Sequence, residues 1–161
     1  MNADLDALHP YPFEKLAALK AELTPPTGLA HIPLTIGEPQ HAPYPAALEA
    51  LVAHQLEMAR YPATNGLPAL REAITRWATQ RFQLRELDSE RHVVPVNGTR
   101  EAIFAFVQAA LDRTRPAKVA VPNPFYQIYE GAAILAGAEP YYMNCSASHD
   151  FIPDFDAISA D

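Results

Sequence analysis

A short polar run, Asn97-Gly98-Thr99-Arg100, has the composition of an anion-binding turn. Gly98 would let the backbone approach an anion closely, Thr99 adds a hydroxyl donor, and Arg100 adds charge-assisted hydrogen bonds. An apolar segment precedes the run and a helical pattern follows it, so free N–H groups at the helix N-terminus would also favour a phosphate. The alternative is an ordinary left-handed turn in which Asn97 caps the helix. The run alone favours that alternative, because it matches neither the P-loop nor the dinucleotide fingerprint.

Two further turns contain residues that could contact a ligand. The prolines of residues 121–126 fix a loop at the carboxyl end of a predicted strand, where open α/β sheets bind ligands. Tyr126 in this loop could offer its flat face to an aromatic cofactor, although a tyrosine buried in the core is an equally good interpretation. Gly37 ends an extended segment, and it could bring a backbone N–H to a substrate carboxylate or simply reverse the chain.

Metal and thiol chemistry have little support in the sequence. The six histidines show no metal-ligand spacing with one another or with the single cysteine, Cys145. No base lies near Cys145 in the sequence, so packing is its default role. We therefore expect no metal site and no catalytic thiol.

The elements that must position these turns alternate between strands and helices after residue 92. Helical spacing of apolar residues predicts helices over 13–23, 46–58, 67–82, 99–111 and 125–136. Short apolar runs predict strands over 92–96, 118–121 and 139–143, and a strand or extended segment over 31–36. This order indicates an α/β fold with crossover helices.

The composition is that of a globular chain. With 161 residues and 49% apolar content, the chain can bury one sizeable core. A net charge of −7, with carboxylates spread along the chain, argues against nucleic acid or an anionic membrane as the main partner. No apolar run is long enough to span a bilayer, so we expect no membrane partner. One cysteine and no signal-peptide pattern at the start predict a cytoplasmic location.

The order of four motifs resembles the fold-type I, class I/II aminotransferases, which depend on pyridoxal phosphate. The motifs are Leu-Thr-Ile-Gly-Glu-Pro at 34–39, Tyr-Pro at 61–62 with Gly66 and Leu-Arg-Glu-Ala at 70–73, Asn-Gly-Thr-Arg-Glu-Ala at 97–102, and Pro-Asn-Pro-Phe-Tyr at 122–126. The longer run at 123–132, Asn-Pro-Phe-Tyr-Gln-Ile-Tyr-Glu-Gly-Ala, is most similar to succinyldiaminopimelate aminotransferases of bacterial lysine biosynthesis. The resemblance covers nearly the whole chain.

The resemblance implies a fold and a cofactor site. Residues 1–45 would form an N-terminal arm and small-domain segment, and 46–161 would begin the large α/β domain, which would be incomplete. The cofactor would be pyridoxal 5′-phosphate. Gly98, Thr99 and Arg100 would cradle its phosphate, and Tyr126 would stack on its pyridine ring.

The resemblance also implies partners and a reaction. Tyr61 is similar to the tyrosine that reaches the phosphate of the neighbouring subunit's cofactor, which implies a homodimer. Gly37 matches the turn beside the substrate carboxylate. The reaction of the whole enzyme would move an amino group between N-succinyl-L,L-diaminopimelate and 2-oxoglutarate, so its partners would be small amino and 2-oxo acids.

Several catalytic residues of that family have no counterpart in this sequence. The only lysines are Lys15, Lys20 and Lys118, and none has the Ser-x-Ser-Lys-like context of the lysine that forms the Schiff base with the cofactor. The aspartate for the pyridine nitrogen and the C-terminal arginine for the substrate carboxylate are also missing. Residues 151–157 have the pattern of a loop entering a helix. We therefore expect a truncated, N-terminal part of the enzyme that is inactive alone.

Two other functions remain open from the sequence. One is an aminotransferase of the same superfamily for another donor, such as aspartate, methionine or an aromatic amino acid. The other is a non-catalytic, phosphate-binding α/β module, whose strands would have to close a core by themselves.

Overall fold

The computed structural model describes residues 1–158, which fold as two compact units. Unit 1 comprises Met1–Leu23 with Val96–Asp161, and unit 2 comprises Thr24–Pro95. In chain order, the helices and strands are α1 (Pro12–Lys20), α2 (Pro45–His54), α3 (Pro68–Phe82), α4 (Thr99–Ala110), β1 (Lys118–Asn123), α5 (Ile128–Leu135) and β2 (Glu139–Asn144). Short 3-10 helices cover Ala3–Ala7, Gln55–Ala59 and Ala147–His149.

The centre of unit 1 is a pair of parallel strands joined by a crossover helix. β1 and β2 pair in register from Lys118 opposite Glu139 to Asn123 opposite Asn144, and α5 connects them. Parallel neighbours require such a crossover, so the predicted strand, helix and strand order is confirmed. β1 ends at Asn123, and the loop that contains Tyr126 therefore begins at the carboxyl end of the sheet.

The buried core of unit 1 consists of small side chains. Val121 on β1 and Met143 on β2 are buried beneath α5, whose Ala132 and Ala133 are fully covered. α4 packs on α5, and the Gln108 side chain donates to the Ala132 carbonyl at 3.0 Å. The small alanine side chains on α5 allow these helices and strands to approach one another closely.

Unit 2 contains α2 and α3, which both begin with proline. Proline suits the first helical position because its fixed φ is helical and its missing N–H would have no partner there. The buried Arg71 on α3 donates to the Ser89 carbonyl at 3.3 Å and forms an ion pair with Glu90 at 2.9 Å. These contacts attach the loop after α3 to the helix.

The strand predicted over 92–96 is wrong, and the segment predicted over 31–36 as a strand or extended segment is not a strand. Residues 92–96 form no strand, and residues 31–36 contain a bend and join no sheet among residues 1–158. A strand needs a hydrogen-bonded neighbour, and Pro33 and Pro95 each lack the N–H that would help to form one. High apolar content was therefore insufficient to make these segments β-strands.

The helix predictions are confirmed with shifted ends. α1 ends at Lys20 instead of residue 23, and Pro25 and Pro26 prevent the helix from resuming. The helix predicted over 46–58 becomes 3-10 after His54, and α5 begins at Ile128, after the loop at 124–127. Residues 151–158 form turns and one bridge between Cys145 and Pro153; residues 159–161 of the predicted terminal helix lie outside the described part.

The predicted boundary at residue 45, between an N-terminal segment and the large domain, stays a prediction.

Among residues 1–158, every helix is too short or too polar to cross a lipid bilayer.

Candidate functional site

The first turn of α4 provides free hydrogen-bond donors. Within residues 1–158, the backbone N–H groups of Thr99 and Arg100 have no acceptor, as expected for the first turn of a helix. Gly98 precedes them with φ 108° and ψ 159°, a conformation that is nearly exclusive to glycine. A Cβ at this position would meet nothing within 4 Å, so the approach to the turn is open. The turn can therefore bind an anion through backbone donors.

Arg100 and Tyr126 lie together beside this turn. Arg100 Nε donates to the Tyr126 hydroxyl at 2.8 Å, and its guanidinium carbon lies 5.5 Å from the centroid of the Tyr126 ring. The hydrogen bond to Tyr126, with a smaller contribution from Tyr11, raises the pKa of Arg100 above its ordinary value. The structure thus places the charged side chain of Arg100 beside the aromatic ring of Tyr126.

Both alternative interpretations of these residues are wrong. Gly98, not Asn97, is the N-terminal cap of α4, and its ψ value lies outside the left-handed helical region. Within residues 1–158 the Asn97 side chain makes no hydrogen bond to α4, although its backbone N–H donates to the Glu101 carboxylate at 3.1 Å. Tyr126 is 41% exposed, so it is not a core residue.

A group of side chains around Glu130, next to the loop that carries Tyr126, was not predicted from the sequence. Glu130 is buried on α5, accepts a hydrogen bond from the Tyr142 hydroxyl, and lies 3.2 Å from His9. An open cavity of about 370 Å³ lies beside Glu130 and is lined by Lys15 and Arg100, among others. An isolated glutamate beside the apolar run Gly-Ala-Ala-Ile-Leu was the signal that could have identified Glu130.

Tyr61 and Gly37 belong to unit 2. The Tyr61 side chain is fully exposed and borders an apolar cavity of about 670 Å³ formed with the end of α2. Gly37 has an ordinary φ and open space around it, so its own backbone does not require glycine. Both residues are accessible to a ligand or another chain.

No cluster of at least three potential metal ligands occurs in the described part of the chain. Cys145 is half-buried, and its thiol lies 3.8 Å from the Met143 carbonyl. Lys15 and Lys20 are on α1, and Lys118 is the first residue of β1.

Comparison with known proteins identifies the family. The sequence model described as "Aminotransferase class I and II" matches residues 30–161, which is most of the chain. The chain belongs to the class I and II aminotransferases. The LL-diaminopimelate aminotransferase of Dehalococcoides mccartyi is 36% identical over the whole chain, and that of Moorella thermoacetica is 36% identical over 96% of it. The chain spans 41% and 39% of these two relatives' lengths.

Solved aminotransferase structures share the fold. A crystal structure of an aminotransferase from Neisseria meningitidis Z2491 superposes with a TM-score of 0.89 and 42% identity, covering 99% of this chain and 41% of that one. The aminotransferase AspB from Helicobacter pylori 26695 superposes with a TM-score of 0.83 and 35% identity, covering 93% and 39%. The α/β, fold-type I architecture predicted from the four motifs is confirmed.

The aminotransferase chain offers groups that fit pyridoxal phosphate, the general cofactor of this family. A phosphate dianion needs hydrogen-bond donors and positive charge, and the α4 terminus supplies free N–H groups beside the Arg100 guanidinium. An aromatic pyridine ring needs a flat partner, and Tyr126 adjoins that terminus. The donor set at the turn therefore suits the phosphate, and the neighbouring tyrosine suits the ring.

Proposed function

We propose that the complete protein containing this chain is a pyridoxal-phosphate-dependent aminotransferase whose amino donor has a diaminopimelate skeleton. The observation that carries the proposal is the pairing of Arg100 with Tyr126 at the open N-terminus of α4. Gly98, Thr99 and Arg100 would hold the cofactor phosphate, and Tyr126 would cover the pyridine ring. When bound, the cofactor supplies an electron sink for negative charge at the substrate α-carbon.

The donor is proposed from two observations. The curated relatives are named LL-diaminopimelate aminotransferases, which supports the diaminopimelate skeleton. The run at 123–132 is similar to that of succinyldiaminopimelate aminotransferases, and it favours the N-succinyl form as the donor with 2-oxoglutarate as acceptor. Free LL-diaminopimelate is the competing donor, and the two differ by a succinyl group that removes one positive charge and adds one carboxylate.

Two further residues, Tyr61 and Gly37, are proposed to act in the complete enzyme. Tyr61 is proposed to reach the cofactor phosphate of a second subunit, and its full exposure leaves its hydroxyl accessible for that role. Gly37 is proposed to lie beside the substrate carboxylate. The proposed enzyme is thus a cytoplasmic homodimer with sites that need both subunits.

A self-standing phosphate-binding module is the weaker candidate. The buried apolar residues of the described part are few and small, with four alanines besides Val121 and Met143. A core of this size stabilises a chain of 161 residues poorly by itself. For the same reason, and because the chain contains no lysine in the family's context, we expect the isolated 161-residue chain to be inactive.

The proposal is tested by cofactor titration and a donor series with the complete gene product. Arg100→Ala should weaken pyridoxal phosphate binding about tenfold or more, because it removes a charge-assisted contact to the phosphate. Arg85→Ala, a change in the loop after α3, is the matched control. Glutamate formation from 2-oxoglutarate should be fastest with N-succinyl-L,L-diaminopimelate, slower with the free diamino acid, and slowest with aspartate, methionine or phenylalanine. Unchanged cofactor binding in Arg100→Ala would contradict the proposed phosphate-binding role of Arg100.

A further inference from the structure

A buried carboxylate lies behind the loop that carries Tyr126. Glu130 follows Tyr126 by four residues, is part of α5, and is only 9% exposed. Its neighbours on the helix include the fully covered Ala132 and Ala133. Because an ionised carboxylate loses its hydration when buried, Glu130 requires polar partners that repay this loss.

The partners of Glu130 come from two distant parts of the chain. The Tyr142 hydroxyl on β2 donates to Oε1 of Glu130, and His9 Nδ1 lies 3.2 Å from both carboxylate oxygens. His9 is 63% exposed, so solvent weakens its interaction with the carboxylate. The hydrogen bond to Glu130, with burial as a lesser cause, raises the pKa of Tyr142 to about 12. Tyr142 therefore remains a neutral donor at any physiological pH.

Tyr142 connects the Glu130 carboxylate to the loop that carries Tyr126. Its ring stacks on Phe125 with centroids 5.5 Å apart and an interplanar angle of 26°. Phe125 immediately precedes Tyr126, whose own ring packs edge-on against Tyr129 of α5 at 6.0 Å. The loop is thus held through Phe125 on one side and through Tyr126 on the other.

We propose that Glu130 is a positioning residue for the cofactor ring. By fixing the Tyr142 hydroxyl, Glu130 holds the Tyr142 ring against Phe125 and so sets the orientation in which Tyr126 meets the pyridine. Glu130 itself touches neither cofactor nor substrate in this arrangement. The inference rests on the proposed function, since it assigns Tyr126 the role of the stacking ring.

The test uses the complete gene product, pyridoxal 5′-phosphate as the probe, and two readouts besides activity. Cofactor affinity is measured after removal and reconstitution, and the circular dichroism of the bound cofactor reports the orientation of its ring. Glu130→Ala should raise the Kd for pyridoxal phosphate about tenfold and reduce the cofactor dichroism by at least half, because it removes one charge-assisted hydrogen bond. Glu130→Gln should retain part of the cofactor affinity and part of the cofactor dichroism, since its amide oxygen still accepts a hydrogen bond from Tyr142. The exposed Glu139→Gln on β2 is the matched control and should leave both unchanged.

Tyr142→Phe keeps the ring on Phe125 and removes only the hydroxyl, so it decides the case if Glu130→Ala does not fold. A reduced cofactor dichroism in Tyr142→Phe supports the inference. Parental affinity and dichroism in a folded Glu130→Ala or in Tyr142→Phe would overturn the inference while leaving the proposed function intact. Failure of the unsubstituted protein to bind pyridoxal phosphate would overturn both.

Discussion

The substitution Gly98→Ala tests the backbone conformation before α4, because it adds only a single methyl group. Its φ of 108° and ψ of 159° lie in a region that residues with a Cβ almost never occupy. An added Cβ meets no atom within 4 Å, so any cost of Gly98→Ala comes from backbone strain instead of steric overlap with neighbours. Such strain amounts to about 1–3 kcal/mol, and we expect the free energy of unfolding to fall by that amount.

The control for this substitution is another glycine with nothing near its Cβ. Gly131 lies within α5 with an ordinary φ, and its Cβ would also meet nothing within 4 Å. Gly131→Ala should stabilise the protein by about 0.5–1 kcal/mol, because alanine is the better helix former. The two glycine-to-alanine substitutions are therefore predicted to change the free energy of unfolding in opposite directions.

Thermal unfolding of the complete gene product, followed by calorimetry without added cofactor, measures both variants. Gly98→Ala should lower the melting temperature of the transition that includes unit 1, and Gly131→Ala should raise it. A Gly98→Ala protein at least as stable as the parent would refute the strained conformation and the turn geometry built on it.

Three further predictions concern other parts of the chain. Arg71→Ala should destabilise unit 2 by about 2–3 kcal/mol in denaturant titrations, because it removes a buried side chain and two contacts to the following loop. Glu90→Gln should cost less than about 1 kcal/mol, since Glu90 is 66% exposed; equal losses would contradict this asymmetry. Gly66→Ala should also destabilise unit 2, because Gly66 has φ 74° and its Cβ would lie 2.8 Å from Pro95; an unchanged transition would show that the loop adapts. Tyr142 should ionise near pH 12 instead of its ordinary 10.0 in an ultraviolet titration. Its stabilising contribution should be present below pH 10 and lost as the pH rises through 12. Ionisation of Tyr142 together with the exposed tyrosines would exclude its hydrogen bond to Glu130.

The elements that the sequence predicts well are those with local causes. α3 was predicted almost to the residue, because its apolar residues recur at helical spacing. The order of β1, α5 and β2 was also predicted, since two short apolar strands flank one helical pattern. The segment at 92–96 has the same apolar character, but β structure depends on a neighbouring strand that local sequence does not specify.

The residues of the candidate site show the same difference between local and distant causes. Gly98, Thr99 and Arg100 were predicted as candidate phosphate-binding residues because the turn, its free donors and its charge are neighbours in sequence. Their proximity to Tyr126 was implied by family resemblance, and the contact itself joins residues 26 positions apart. Glu130 was not predicted because its partners lie 121 and 12 positions away, and its local signal, a glutamate beside an apolar run, does not show which residues it contacts.

We propose that the complete protein moves the amino group of a diaminopimelate donor to a 2-oxo acid. The most direct measurement supplies it with pyridoxal phosphate, 2-oxoglutarate and α-¹⁵N-labelled N-succinyl-L,L-diaminopimelate or LL-diaminopimelate, and then analyses glutamate by mass spectrometry. We predict ¹⁵N-glutamate from the succinylated donor at the higher rate, with none formed when pyridoxal phosphate is removed. A folded protein that binds pyridoxal phosphate yet yields no labelled glutamate from either donor would contradict the account.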